Sequence, residues 1–262
     1  MTALIDADSF LYKIGFSLEE ELDDGTFYVD LQEAKLALDG LIESIMFETD
    51  CDDYELWLTG GNNFRYDIAK EHLSHDYKHN RKDKRKPDKL LEMTKYLRVK
   101  HKARVTPFCE ADDVVVAKAI EAPDDYILCA IDKDVLYQTP GNHWNYGKQE
   151  WVRVDKALAL WYPYYQTLVG DVTDGYKGAF RIGEVKAKKI LGEPQQYNER
   201  QLWARVLWTY RKCKQTKEEA LATMRLANMR QLERDDNGKF KLKLWTPPTR
   251  EEDQLDEYLL PF

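Results

Sequence analysis

The 262-residue chain is 43% hydrophobic and 33% charged, a balance that suits a soluble globular protein able to bury a core, as one large domain or two small ones. No apolar run approaches the 18 residues of a membrane span, and the opening MTALIDADSFLYK carries acids inside its apolar stretch without a basic lead-in, so it does not read as a secretory signal. Cys51, Cys109, Cys129 and Cys213 form no CxxC pair, and reduced thiols in a cytoplasmic protein are expected.

The net charge of −8 argues weakly against a nucleic-acid partner, but its distribution reverses that impression. Residues 78–104 hold twelve Lys and Arg against three Asp and Glu, a local +9 that leaves −17 elsewhere. Such a chain has a basic surface and an acidic one. The plain alternative is a solvated, charged helical face.

In chain order, residues 3–7 (ALIDA) are a short apolar strand ending in acids. Leu31, Ala34, Leu38, Leu41 and Ile45 give 31–48 helical spacing. YELWLT (54–59) is a strand that breaks at Gly60-Gly61, and 64–86 turns polar and basic before Pro87. A helix over 88–100 follows, and another begins near Asp112-Asp113 and stops before Pro123. YILCAI (126–131) is a strand running into Asp132-Lys133-Asp134, and Gly141-Asn142 with Gly147 marks a hairpin. Residues 155–169 and 198–232 are expected as helices, with glycine-punctuated 170–192 between them, and the acidic, proline-broken tail reads as an extended arm.

Strands alternating with helices imply an α/β core with a mostly parallel sheet, where ligands bind beyond the carboxyl ends of the strands. Two predicted strand ends carry acids, Asp6 with Asp8 and Asp132 with Asp134; Glu110 with Asp112 and Asp113, and Asp171 with Asp174, are two further acid groups, and three of the four adjoin apolar segments that should converge on one edge of the sheet. Each alone reads as a helix cap or turn residue. Gathered together they would repel unless cations neutralised them, and all-oxygen donors favour Mg²⁺ or Mn²⁺ over zinc. Two such ions about 4 Å apart clamp the attacking and leaving oxygens of a phosphodiester.

These groups, taken in order with Asn63-Phe64-Arg65, Tyr77-Lys78-His79-Asn80-Arg81-Lys82 and Gly170-Asp171-Val172-Thr173-Asp174-Gly175-Tyr176, resemble the bacteriophage 5′→3′ exonucleases of the flap endonuclease superfamily over about residues 3–245. The resemblance implies a PIN-like nuclease core (1–154) carrying a helical arch (about 64–104), a helical region (155–245) and an acidic tail (246–262). It implies two Mg²⁺ or Mn²⁺ ions, one served by Asp6, Glu110, Asp112 and Asp113, the other by Asp132, Asp134, Asp171 and Asp174. Lys78 and Arg81 would steady the scissile phosphate, and Tyr77 would stack on a base. Residues 178–189 look like the family's helix–three-turn–helix element, where Gly183 lets a phosphate approach the backbone, Lys186, Lys188 and Lys189 attract DNA, and a K⁺ ion often sits in the turn. Lys82, Lys84 and Arg85 of the arch join this DNA-binding set. The implied partner is DNA with a free 5′ end or flap, or an RNA primer, in phage replication, primer removal or DNA degradation.

One departure stands out: where the family places a metal-site acid after the second strand, this chain has Gly60. That gap admits a non-catalytic DNA-binding module as a rival reading, and the shared fold type admits a PIN-type ribonuclease. His72, His75 and His79 have helical spacing suited to zinc but no fourth ligand. The acidic tail closing on Pro261-Phe262 resembles those by which single-strand binding proteins recruit replication partners; an acidic surface segment is the plainer reading.

Overall fold

The computed structural model describes residues 1–73, 77–81 and 83–248. His75, Lys82 and the tail from 249 onward lie outside them. The chain forms two compact units, one built from residues 1–63 and 83–154, the other from 64–82 and 155–262.

In chain order the first unit opens with β1 (Thr2–Asp6), α1 (Asp8–Ser17), a small hairpin β2–β3 (Glu20–Glu21, Phe27–Tyr28), α2 (Leu31–Thr49) and β4 (Asp53–Leu58). The second unit then takes α3 (Phe64–His72) and a 3₁₀ turn (His79–Arg81). The first resumes with α4 (Leu90–Lys100), β5 (Arg104–Val105), α5 (Ala111–Glu121), β6 (Tyr126–Cys129), α6 (Lys133–Tyr137), β7 (Gly141–Asn145) and β8 (Glu150–Val154). The second is completed by α7 (Lys156–Val169), the short pair β9–β10 (Gly170–Asp171, Tyr176–Lys177), α8 (Glu184–Leu191), α9 (Glu199–Lys212), α10 (Lys217–Ala227) and the hairpin β11–β12 (Leu232–Arg234, Phe240–Leu242).

The first unit is organised by a six-stranded sheet in the order β5-β4-β1-β6-β7-β8, parallel except for β8. β1 is an unbroken apolar run because both its faces are covered, as in other parallel sheets. Ala3 and Ile5 join Leu56, Leu58, Ile127 and Cys129 against Phe10, Leu38, Ile42, Met93 and Leu97 of α1, α2 and α4. Leu4, fully buried outside that cluster, lies on the strand between them, and α5 packs on β1, β4 and β6. Parallel strands put their carboxyl ends on one edge, so Asp6 at the end of β1, Thr59-Gly60 after β4 and Asp132 after β6 share it.

Several elements depart from the sequence expectations. α1 was not expected; it is short and begins on an acid, and Phe10, Leu11 and Ile14 are its buried stripe. The region expected as an arch does not stay together. Its residues 64–82 belong to the second unit, and α4 buries Met93 and Leu97 in the core of the first. The single helix expected over 198–232 is two, because Thr216 starts α10 with a capping box in which its hydroxyl receives the N–H of Glu219 (3.1 Å) and Glu219 receives its N–H (2.6 Å).

In the second unit α7 packs against α8, α9 and α10. Arg65 of α3 is fully buried, donating to the carbonyls of Leu226 (3.0 Å) and Asn228 (3.2 Å) and to Met229 Sδ (3.3 Å). All four cysteines are free thiols, with Cys51, Cys109 and Cys129 buried. No helix among the described residues is long and apolar enough to cross a membrane.

Candidate metal centre and cationic clasp

In the first unit the acids cluster around the end of β1. Asp6 is 3% exposed, and its carboxylate accepts from the backbone N–H of Asp8 (3.2 Å) and the hydroxyl of Ser9 (3.3 Å). Burial, then the charge of Asp8 and that of Asp132, push its carboxyl up to about 8 against the hydrogen bonds that favour ionisation. Tyr146, edge-on to Phe10, donates to the Asp6 carbonyl (2.9 Å). Burial, then the Asp6 charge and more weakly that of Asp112, raise the phenol well above its ordinary value. Asp8 and Asp132 therefore lie near enough to act on Asp6, and Asp112 near enough to act on Tyr146.

The remaining acids here also hold the fold together. Asp8 accepts the N–H of Thr59 with both oxygens (3.1 and 3.2 Å), and the Thr59 hydroxyl accepts the N–H of Ala111 at the start of α5 (2.9 Å). Glu110 and Asp113, both buried, form the capping box of α5, with Asp113 accepting the N–H of Glu110 (3.1 Å). Asp132 caps α6 by accepting the N–H of Asp134 (2.8 Å); Asp132 is exposed and Asp134 buried. Among the described residues no three His, Cys, Asp or Glu side chains are close enough to grip one ion by themselves.

Gly60 has a steric reason for being glycine. A Cβ there would lie 2.0 Å from the carbonyl oxygen of Thr106, beside the point where Thr106 N–H meets the Leu58 carbonyl (3.0 Å). An acid has no room at this position, and the nearby carboxylate anchored to the same loop is Asp8.

In the second unit, the turn 171–174 is clasped by residues 77–81. Asp171 accepts the N–H groups of Thr173 (2.6 Å) and Asp174 (3.0 Å). Asp174 receives Arg81 Nη2 (2.7 Å) and Lys78 Nζ (3.6 Å) on one oxygen and the Tyr77 hydroxyl (2.5 Å) on the other. Arg81 Nε and Asn80 Nδ2 add bonds to the carbonyls of Thr173 (3.0 Å) and Val172 (2.6 Å). The two cations expected to steady a phosphate thus rest on an acid expected to serve an ion.

Two residues expected to contact DNA have partners within the protein. Tyr77 is 1% exposed, with its ring edge-on to Tyr66 and its hydroxyl on Asp174, so it has no face to offer a base. Arg85 makes a two-pronged pair with Glu19 (2.6 and 2.7 Å) over the ring of Phe27 (3.7 Å). Lys84 is exposed; Lys82 lies outside the described residues.

Gly183 is the N-cap of α8, where an added Cβ would meet open space, so packing does not require a glycine there. Lys186 is exposed and reaches the Arg181 carbonyl (3.2 Å), Lys188 is exposed near the Tyr165 ring (6.0 Å), and Lys189 is exposed. The exposed face of this turn therefore combines uncapped N–H groups with lysines.

No known family profile and no curated protein matches the chain. Solved structures do. A bacteriophage T5 protein co-crystallised with metal ions matches at 14% identity and TM-score 0.61, over 87% of this chain and 89% of that one. A variant of the T5 5′-exonuclease matches at 12% and 0.58, over 87% of both chains. The T5 flap endonuclease in a pseudo-enzyme–product complex with DNA and metal ions matches at 15% and 0.57, over 87% of this chain and 89% of that one. The chain therefore has the PIN-like α/β fold of the bacteriophage T5 5′-exonuclease, a mostly parallel sheet flanked by helices.

Proposed function

We propose that this chain is a divalent-metal-dependent nuclease that hydrolyses phosphodiester bonds at 5′ ends or flaps of DNA. The observation that carries the reading is the buried carboxyl of Asp6 at the carboxyl edge of a parallel sheet, with Asp8 and Asp132 acting on it. Burying one acid among others is costly, and a bound cation offsets that cost. The fold likeness to nucleases crystallised with metal ions and DNA supports the same reading.

The donor set suits Mg²⁺ or Mn²⁺, because every candidate ligand is a carboxylate oxygen. In this reading Asp6, Glu110, Asp112 and Asp113 serve one ion, with Asp8 beside them; Asp132 and Asp134 serve another, and Asp171 and Asp174 are further candidates. Ions held there would supply an acidified water and a counter-charge for the leaving oxygen. The protein's own work is positioning. Asp6 gives up its proton, Gly183 with Lys186, Lys188 and Lys189 holds the duplex backbone, and Lys78 and Arg81 exchange Asp174 for the scissile phosphate.

The test uses a 5′-labelled flap duplex with Mg²⁺, Mn²⁺ or chelator. Metal-dependent release of 5′ products, abolished by Asp132→Asn with DNA binding retained, is the expected result. Binding without cutting under any metal would leave the non-catalytic module that Gly60 favours.

A further inference from the structure

The second unit contains a cavity of about 200 Å³ that has no part in the proposed reaction. Its lining includes Tyr164 of α7, Glu199 of α9, Met224 of α10, and Asn228, Arg230 and Trp245 of the following segments. Tyr164 is 1% exposed, and its hydroxyl has no hydrogen-bond partner among the described residues. A phenol buried this deeply ordinarily finds one, because losing water without replacement is costly.

Arg230 adds a second donor. Its guanidinium is largely desolvated and its pKa is lowered by burial; Glu199 and Tyr164 act on it across the cavity in the opposite direction. No salt bridge joins Arg230 to Glu199 among the described residues. Trp245 supplies an aromatic wall. Its ring is held edge-on by Tyr164 (6.3 Å) and Trp203 (4.9 Å), its backbone N–H donates to the Gln231 side-chain oxygen (3.0 Å), and its backbone carbonyl accepts from Arg225 (3.1 Å).

The cavity thus offers two donors, one carboxylate acceptor at an exposed mouth, and a flat apolar wall, in a volume suited to one small ring system. A free phosphate would meet the Glu199 charge and leave Trp245 and Met224 unused. An aliphatic group would leave Arg230 and Tyr164 without acceptors. A nucleobase meets each requirement. Guanine does so best, because its O6 and N7 accept from a guanidinium while its N2 amino group donates, and any base presents a face to an aromatic wall.

We infer that this cavity binds a single unpaired guanine base, donated by a frayed or single-stranded portion of a DNA substrate. The inference rests on the nuclease reading only for the source of that base.

The experiment measures binding by fluorescence anisotropy with the full chain in chelator. The probes are a blunt duplex and duplexes extended by four dG, four dT or four abasic nucleotides. The dG extension should bind about tenfold more tightly than the abasic or dT extension. Arg230→Met should abolish that gain and Tyr164→Phe should reduce it, with blunt-duplex affinity unchanged in both. Tyr164→Phe removes only an unpartnered oxygen, so the fold should persist, checked by an unchanged melting temperature. Equal affinity for dG, dT and abasic extensions overturns the inference, as does a dG gain that survives both substitutions. If the blunt duplex is not bound at all, the nuclease reading fails separately. Calorimetric titration with free deoxyguanosine then decides the cavity: binding lost in Arg230→Met supports it, and no binding to the unsubstituted chain overturns it.

Discussion

Arg81 holds the carboxylate of Asp174 through a 2.7 Å contact between Nη2 and Oδ1, and Lys78 brings its charge to the same oxygen at 3.6 Å. A carboxylate so engaged has to be released before it can serve a cation, and the two bases have to be released before they can serve a phosphate. Binding of metal and closure of residues 77–81 on substrate are then linked. Arg81→Gln should raise Mn²⁺ affinity about three- to tenfold, the charge-assisted bond being partly solvent-screened, while lowering cleavage about a hundredfold. Calorimetric Mn²⁺ titration and single-turnover cleavage measure the two arms. Unaltered Mn²⁺ affinity would sink the linkage.

Asp6 makes stability depend on pH. Its carboxyl is raised from an ordinary value of 3.8 to about 8, mainly by burial and then by Asp8. The folded chain therefore keeps a proton that the unfolded chain loses above pH 4. The stability this supplies is complete below about pH 4 and declines as pH rises through about 8. In chelator, the urea midpoint should fall between pH 5 and 9, and Asp6→Asn should flatten that decline. Saturating Mg²⁺ should also flatten it by holding the ionised form. An identical slope in the Asn variant would show that other groups govern this window.

The glycine at position 60 should resist repair. Placing any side chain there sets a Cβ 2.0 Å from the Thr106 carbonyl oxygen. Gly60→Ala and Gly60→Asp should each cost about 1–3 kcal/mol, as overpacked sites do, and Gly60→Asp should not tighten metal binding beyond Gly60→Ala. Denaturant curves together with Mn²⁺ titrations separate the effects; tighter metal binding by the Asp variant alone would refute the steric account.

Gly183 and Lys186 divide DNA binding into contact and attraction. An alanine at 183 meets open space at a φ of −97°, so Gly183→Ala should leave the melting temperature within about a degree while weakening duplex binding several-fold if phosphate approaches the backbone. Lys186→Ala should weaken all sequences alike and lower the slope of log K against log salt by about 1. Salt-dependent anisotropy on two unrelated duplexes reads both.

Much of the acid edge was legible because it depends on local pattern. Apolar runs that stop on Asp6 and before Asp132 announce strands whose carboxyl ends carry charge, and the parallel sheet follows from strands alternating with helices. What the pattern did not carry was distant partnership. Nothing near Arg85 says that Glu19, 66 residues earlier, claims both its prongs. The family resemblance implied that Tyr77 would stack on a base, yet its hydroxyl is committed to Asp174, 97 residues later. Local signals also overlap: Glu110 and Asp113 read equally as ligands or as a helix cap, and the capping box is present. The cavity at Tyr164 and Arg230 had no sequence signal, because its walls come from segments separated along the chain.

The buried guanidinium of Arg65 has a consequence for how the protein is made. Its carbonyl partners stand 161 and 163 residues downstream. At roughly 5–20 residues per second of synthesis, α3 leaves the ribosome on the order of ten to thirty seconds before Leu226 and Asn228 exist. During that interval a helix built to be enclosed has only the solvent or a chaperone for company. Slower elongation, or truncation ahead of α10, should therefore show first as aggregation through this early segment.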